Sequence, residues 1–596
     1  MRDDFEDIIR ERKDRDILKR LYQYVLPYKK EFLLVFILMA ISVAVQLLPP
    51  FLIGYTVDTI ANETFTQSDK LIRIIILSVV FLVSIVVSNI ANYLQSITLQ
   101  RIGQQTVVTL RDEVFTHIES LSIGQINEVP VGKLVTRTIN DTNTVSEMYT
   151  SVIVNLIKNV LYISAILVAL FIISYRLTLW MILILPVVIV TSFIFRRFSR
   201  MSYRRVRANI AEVNAFLSEN LSGMKVTQIF NQEQKKKDEF VDKTSALRKS
   251  YLREILVFGI YRPTIYLMAM FGTVIVLYVG YQEVMAGIIT AGFLFTYYTL
   301  VGDFFQPIQQ LAEEFNIMQS AFASAEKIFD VLDTPPTIVD APDAIDLPTF
   351  SGEIEFKDVW FKYIEDEWVL RGVSFKVNPG DTVAFVGATG SGKTTILSLI
   401  VRNYDIQKGQ ILIDGIDIKK IKRSSLRSHI GQMLQDVFLF NETIKNNITL
   451  NDDNITDEAV IQASEYVGAN TFIDKLPDKY EHIVLERGNN FSSGQRQLIS
   501  FARALVYEPS LMILDEATAN IDSETEELIQ ESMQKMMNIS TMIVVAHRLS
   551  TIQYSDKIIL MQKGEIKEEG NHQELLRQKG LYYNLYQLQY DEALQK

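Results

Sequence analysis

Three stretches of this chain carry side chains whose types and spacing suit phosphate chemistry. Gly387-Ala-Thr-Gly-Ser-Gly-Lys-Thr394 matches G-x4-G-K-[ST] in full, between the apolar run VAFV and the helical pattern TTILSLIV. In a strand–turn–helix setting, the glycines let backbone N–H groups wrap phosphate oxygens; Lys393 reaches the β- and γ-phosphates, and the Thr394 hydroxyl suits Mg²⁺. The candidate nucleotide site therefore comprises Gly387, Thr389, Gly390, Ser391, Gly392, Lys393, Thr394 and Thr395. Further on, the apolar run Leu511-Met-Ile-Leu514 ends in Asp515-Glu516, and open parallel sheets bind ligands at the carboxyl ends of their strands. Asp515 is expected to hold Mg²⁺, directly or through water, and Glu516 to polarise the water that attacks the γ-phosphate in line. One carboxylate does both jobs poorly, because a metal-bound oxygen is a weak base. The third stretch, Phe491-Ser-Ser-Gly-Gln495, precedes the helical pattern QRQLISFARAL, so N–H groups at that helix start can face an anion. His547, after TMIVVA, and Gln435, in GQMLQDVFLF, are unremarkable by themselves.

The elements that must position these groups fall into two halves. From about residue 351, strand and helix patterns alternate, as in a mostly parallel sheet with helices on its faces. The Pro- and Asp-rich PPTIVDAPDAIDLP reads as the linker before it. The expected division is 1–330, a linker at 331–350, and 351–596. The first part holds six apolar runs, roughly 32–57, 71–95, 152–173, 178–195, 255–281 and 291–311, each near the ~20 residues a helix needs to cross a bilayer. The segment before the first run carries nine Lys and Arg, and the 196–252 connection carries thirteen. The short connections 58–70, 174–177 and 282–290 carry only Lys70 and Arg176. By the positive-inside rule the N-terminus, both long connections and the second half are cytoplasmic. Helical apolar spacing continues through 96–150 and 196–253, so the spans should extend into the cytoplasm, turning near Ser122–Asn127 and Ser222–Gln228. Two ionisable residues fall within the spans. Asp303 either faces a substrate path or lies at the cytoplasmic edge, and Arg262 is open to the same two readings.

Composition narrows the function classes. At 596 residues the chain exceeds one core. Hydrophobic residues at 48 % suit a membrane half joined to a water-soluble half. A net charge of −11 argues against nucleic acid as partner. With no Cys there is no disulfide, Cys-ligated zinc or thiol nucleophile. The charged start lacks a short apolar core, so no cleaved signal peptide is expected.

Taken in order, Tyr363, GATGSGKT, Gln435, FSSGQ, LMILDEA, Asp522 and His547 resemble the nucleotide-binding domain of an ABC transporter. With six preceding spans, the whole chain resembles an ABC exporter half-transporter of the type IV (multidrug and lipid exporter) group. The implied fold is an all-α six-helix transmembrane domain with long cytoplasmic extensions, fused to an α/β P-loop ATPase. The resemblance implies ATP and Mg²⁺ as ligands, with Gln435 on Mg²⁺ and water, His547 on the γ-phosphate, and Tyr363 stacked on adenine. It makes the two cytoplasmic turns coupling helices. It also implies that Ser492, Ser493, Gly494 and Gln495 serve the ATP of a partner chain, with Asp522 crossing between the two sites. Two departures stand out: FSSGQ where LSGGQ is usual, and ANID where SALD is usual. Lys393, Asp515, Glu516 and His547 are all present, so the chain's own Walker site reads as competent.

The expected protein is an ATP-hydrolysing exporter of amphiphilic or apolar compounds in a bacterial cytoplasmic membrane, with membrane lipids and a second half-transporter as partners. GQILIDGIDIKKIKRSSLRSHIG resembles the catalytically competent member of heterodimeric multidrug exporters, which favours a heterodimer over a homodimer. A homodimeric lipid flippase and an ATP-gated channel share the motifs; intact Glu516 and His547 weigh against the channel. The six spans exclude a soluble ABC ATPase acting on nucleic acid, and the fused chain weighs against an importer.

Overall fold

The computed structural model describes residues 14–183, 185–364, 367–434, 436–515, 523–537, 539–545 and 552–594. Gln435, Glu516, Asp522 and His547 lie outside the described residues. The chain forms two compact units, one of Met1–Ile118 with Gly132–Thr334, the other of Glu119–Val131 with Pro335–Lys596.

The first unit is helical, and its helices cover all six apolar runs. The first run breaks into Lys29–Gln46 and Leu48–Ala61. Pro49 and Pro50 occupy the opening turn of the second helix, where a missing N–H costs nothing. The second run lies in Gln67–Ser120, a helix of 54 residues. At ~1.5 Å per residue it is about 80 Å long, far beyond the ~30 Å of a hydrocarbon core. Its early turns expose Leu71, Ile75, Leu82 and Val86, a face suited to lipid, and its later turns bury Ile102, Val107, Leu110 and Val114. The remaining runs lie in Ile153–Ile173, Tyr175–Ile182 with Leu185–Ser222, Glu233–Met285 and Ala291–Asp333. Among the described residues, four helical segments are long and apolar enough to cross a membrane: Arg15–Ala61, Gln67–Ser120, Val131–Ile173 and Glu233–Met285. The expected cytoplasmic turns are short helices, Ile123–Glu128 and Met224–Ile229.

Helices Leu48–Ala61 and Ala291–Asp333 meet through backbone. Asp58 accepts from the Gly292 N–H at 2.7 Å and from the Thr290 hydroxyl at 2.6 Å. Thr296 Oγ1 donates to the Pro50 carbonyl at 3.1 Å. Gly54 and Gly292 permit this approach, since a Cβ on Gly292 would strike the Gly54 carbonyl.

The second unit carries ten strands: β1 (Ile354–Lys362), β2 (Trp368–Val377), β3 (Thr382–Val386), β4 (Lys408–Ile413), β5 (Ile416–Asp417), β6 (Ile430–Met433), β7 (Leu511–Asp515), β8 (Thr541–Val545), β9 (Lys557–Gln562) and β10 (Glu565–Gly570). β2-β1-β4-β5 form an antiparallel sheet. The second sheet, β10-β9-β3-β8-β7-β6, is parallel except for β10. β3 and β8 are buried along their whole length, as expected for central strands covered on both faces. Phe385, Ile513 and Ile543 point into one core with Ile396 and Leu399. Ala384, Met512, Leu514 and Val544 point into the other with Leu498 and Phe501.

Candidate functional site

Sheet order brings two of the three phosphate-chemistry stretches, 387–394 and the end of Leu511–Asp515, to one edge. β8 lies between β3 and β7, and all three run parallel, so their carboxyl ends stand side by side at ~4.8 Å spacings. β3 delivers the loop 387–392, β7 delivers Asp515, and β8 ends at Val545, paired with Asp515. In sequence His547 follows that end by two residues.

The loop is built from its glycines. Gly390 has φ +80° and Gly392 φ +103°, left-handed values that a side chain resists. At Gly392, a Cβ would also lie 2.7 Å from Leu370 Cδ2. This glycine caps the helix Lys393–Ile400, whose free N–H groups point toward the loop, an arrangement that favours anions. The Lys393 ammonium donates to the carbonyls of Gly387 at 2.7 Å and Ala388 at 3.0 Å. Burial pushes its pKa down, while the nearby Asp515 carboxylate pulls it up. Ser391 Oγ is buried with no hydrogen-bond partner among the described residues, an orphan that a phosphate oxygen would satisfy. Thr394 is exposed beside it, whereas Thr395 is buried.

These donors fit a nucleoside triphosphate. Among the described residues no group of three or more His, Cys, Asp or Glu could hold a metal ion. Mg²⁺ needs no such cage, since it is commonly held by one or two carboxylates with substrate phosphates and water. Asp515 and the Thr394 hydroxyl are suitable donors.

Tyr363 stands close to the loop. Its hydroxyl donates to Thr395 Oγ1 at 3.1 Å, and its ring meets Tyr404 edge-on, with centroids 5.0 Å apart. The residue is about half exposed (48 %). Sequence reasoning missed Tyr404, because no motif spacing links it to Tyr363. It missed Ser391 as an unpartnered donor for the same reason.

The stretch 491–495 is a helix start of a definite kind. Ser492 caps the helix Ser493–Leu505 in a reciprocal capping box: its Oγ accepts from Gln495 N–H at 3.2 Å, and Gln495 Oε1 accepts from Ser492 N–H at 3.0 Å. Gln495 thus has a structural task as well as any contact with ligand. Phe491 is buried against Phe472 and His482, so the residue departing from the usual Leu fills core. Ser492 is exposed, Ser493 partly exposed and Gly494 buried. Asp303 and Arg262 belong to the other unit. Asp303 lines a cavity of about 230 Å³ with Gln46, Pro49, Phe81, Tyr162 and Thr299, and Arg262 is exposed on its helix.

Two family models match the chain: ABC transporter transmembrane region over residues 32–308, and ABC transporter over residues 370–519. The probable multidrug resistance ABC transporter ATP-binding/permease protein YheH of Bacillus subtilis (strain 168) is 37% identical over 507 residues, covering 83% of this chain and 74% of that protein. The ATP-dependent lipid A-core flippase of Syntrophus aciditrophicus (strain SB) is 32% identical over 577 residues, covering 97% of this chain and 95% of that one. A bacterial Atm1-family ABC exporter solved with ATP bound superposes with a TM-score of 0.78 at 26% identity, over 96% of this chain and 98% of that one.

Proposed function

This chain belongs to the ABC transporter family, as an ATP-hydrolysing exporter that crosses the membrane several times and acts as a dimer, and from that premise we propose how its residues divide the work. Lys393 and the N–H groups of 387–392 bind the triphosphate, and Ser391 Oγ supplies a further donor. Tyr363 stacks on adenine. Asp515, Thr394 and Gln435 hold Mg²⁺, which when bound neutralises developing phosphate charge. Glu516 polarises the attacking water, and His547 contacts the γ-phosphate. Ser492, Ser493, Gly494 and Gln495 act on the partner chain's ATP, and Asp522 lies between the two sites. The observation that carries this reading is the common edge formed by the carboxyl ends of β3, β8 and β7. Glu516→Gln removes only the water-polarising charge. In the purified complex it should keep ATP binding and lose hydrolysis by about 10²-fold or more, the range of general-base removal. Near-normal turnover would sink the assignment.

The cargo follows from the spans. Membrane helices rich in Phe, Tyr and Met suit amphiphilic and apolar compounds; one relative is named for multidrug resistance and another for lipid A-core. We place the membrane domain in 1–330 and the ATPase in 351–596, joined by the linker 331–350. The N-terminus and ATPase face the cytoplasm of a bacterial cell, on the Lys and Arg distribution. A heterodimer, with this chain bearing the intact Walker site, is favoured over a homodimer. In the cycle, ATP binding closes the ATPase pair, the helices Ile123–Glu128 and Met224–Ile229 pass the closure to the spans, and hydrolysis resets them.

A further inference from the structure

One helical turn of the second unit reaches the nucleotide site through a ring that no motif predicts. The helix Ile123–Glu128 folds with that unit and continues in sequence from the membrane-domain helix Gln67–Ser120. It is stapled to the start of the linker. Ser122 Oγ lies 2.7 Å from Thr337 Oγ1, Gln125 Oε1 accepts from Thr337 N–H at 3.1 Å, and Gln125 Nε2 donates to the Pro335 carbonyl at 3.0 Å. The ring of Tyr404 lies flush against Gly124. A Cβ there would be 2.7 Å from Tyr404 Cε1 and 3.3 Å from Cδ1, so only glycine lets the ring lie that close.

Tyr404 has a rigid mount. Arg402, 3% exposed, ties its own turn to Asp405 at 3.2 Å, to Asp340 at 3.4 Å and to the Ile421 carbonyl at 3.2 Å. Arg427 donates to the carbonyls of Val401 at 3.0 Å and Arg402 at 3.2 Å, and to Asn403 Oδ1 at 3.1 Å. A push from Gly124 therefore meets a ring on a fixed turn, and that ring also packs on Tyr363 and Phe361, with centroids 5.0 Å and 5.7 Å away. Tyr363 in turn holds Thr395, the third residue of the helix Lys393–Ile400, by its hydroxyl.

We infer that Tyr404 is a positioning residue: it links the helix Ile123–Glu128 to the adenine-stacking face of Tyr363 and, through Thr395, to the P-loop helix. The inference rests on Tyr363 stacking the base. The fixed contacts give it physical content, since a coupled route needs an element that both ends bias. Movement of the short helix alters how well the Tyr363 ring is presented, and base binding restrains that helix in return.

A double-mutant cycle on the full-length complex in lipid nanodiscs tests this, reading the Kd for ATP. Tyr404→Ala and Gly124→Ala should each weaken ATP binding by about two- to twelvefold, the range an aromatic pair carries. In the Tyr404→Ala background Gly124→Ala should add nothing, because the ring it displaces is gone. Effects that multiply independently overturn the relay, as does Gly124→Ala binding ATP like the wild type. Tyr404→Phe keeps the ring and should bind normally; if Tyr404→Ala does not fold, Tyr404→Leu takes its place in the cycle. The stacking reading fails separately if Tyr363→Ala leaves the Kd for ATP unchanged.

Discussion

Asp303 shows what a single side chain adds to the reading of this protein. It stands 12 residues beyond Ala291, the first residue of the helix Ala291–Asp333, which at ~1.5 Å per residue puts it about 18 Å from that helix start. If the run 291–311 crosses the bilayer from the start of this helix, Asp303 falls inside a ~30 Å hydrocarbon core. Of its neighbours, Tyr162 comes from the interior of helix Ile153–Ile173 and Gln46 from the end of helix Lys29–Gln46. A carboxylate at that depth needs a partner, and a cationic cargo passing the cavity would supply one. Asp303→Asn keeps the size and removes the charge. In inverted vesicles, transport of a cationic dye should fall about tenfold, equivalent to ~1.4 kcal/mol, while a neutral dye of similar size changes little. Equal loss for both dyes would show that Asp303 acts on structure instead. At this scale the sequence was informative wherever chemistry fixes spacing, as in Gly387–Thr394 and Asp515. It was silent wherever partners are distant in the chain, as with Tyr404 against Tyr363 and Gly124, because nothing local marks those meetings.

Helices and strands were more legible than their contacts. Apolar runs near 20 residues and the alternation past residue 351 suffice to locate six apolar helical runs and a mostly parallel sheet, since burial on both faces demands continuous apolar strands. The break at Gln46–Leu48 follows from Pro49 and Pro50, yet the two glycines that let helix Leu48–Ala61 touch Ala291–Asp333 carry no local signal. Gly292 and Gly302 separate the two roles a helical glycine can have. Around Gly302 a Cβ meets nothing within 4 Å, whereas at Gly292 it meets backbone. Gly302→Ala should therefore be neutral or raise the thermal midpoint, because alanine is the better helix former by ~1 kcal/mol. Gly292→Ala should lower it, and Asp58→Ala should lower it too, by leaving the buried Gly292 N–H without its acceptor at a cost of about 1–3 kcal/mol. Thermal unfolding of the purified protein in one detergent compares the three. Gly292→Ala and Gly302→Ala behaving alike would mean that the helix pair tolerates separation and the contact is incidental.

The assembly is the level at which a single chain says least, because an isologous and a mixed pair can use the same surfaces. The dimer itself is a family property; its composition rests here on residues. Lys393 and Asp515 share one edge of the sheet, whereas Ser492 caps a separate helix and is exposed. If the exposed cap closes over another chain's γ-phosphate, a chain without its partner binds ATP at its own P-loop but lacks the second wall of the site. Preorganised donors aimed at developing charge usually lower the barrier of such a reaction more than any other effect, and losing one costs about 10²–10³ in rate. The chain purified alone should thus bind ATP and hydrolyse it at least about 10²-fold more slowly than when co-purified with a second half-transporter. The dependence of rate on protein concentration discriminates further. Robust hydrolysis by the lone chain, steepening with its concentration, would establish a homodimer and remove the case for a degenerate partner site. Slow hydrolysis at every concentration, restored only by the second chain, is the outcome a heterodimer requires.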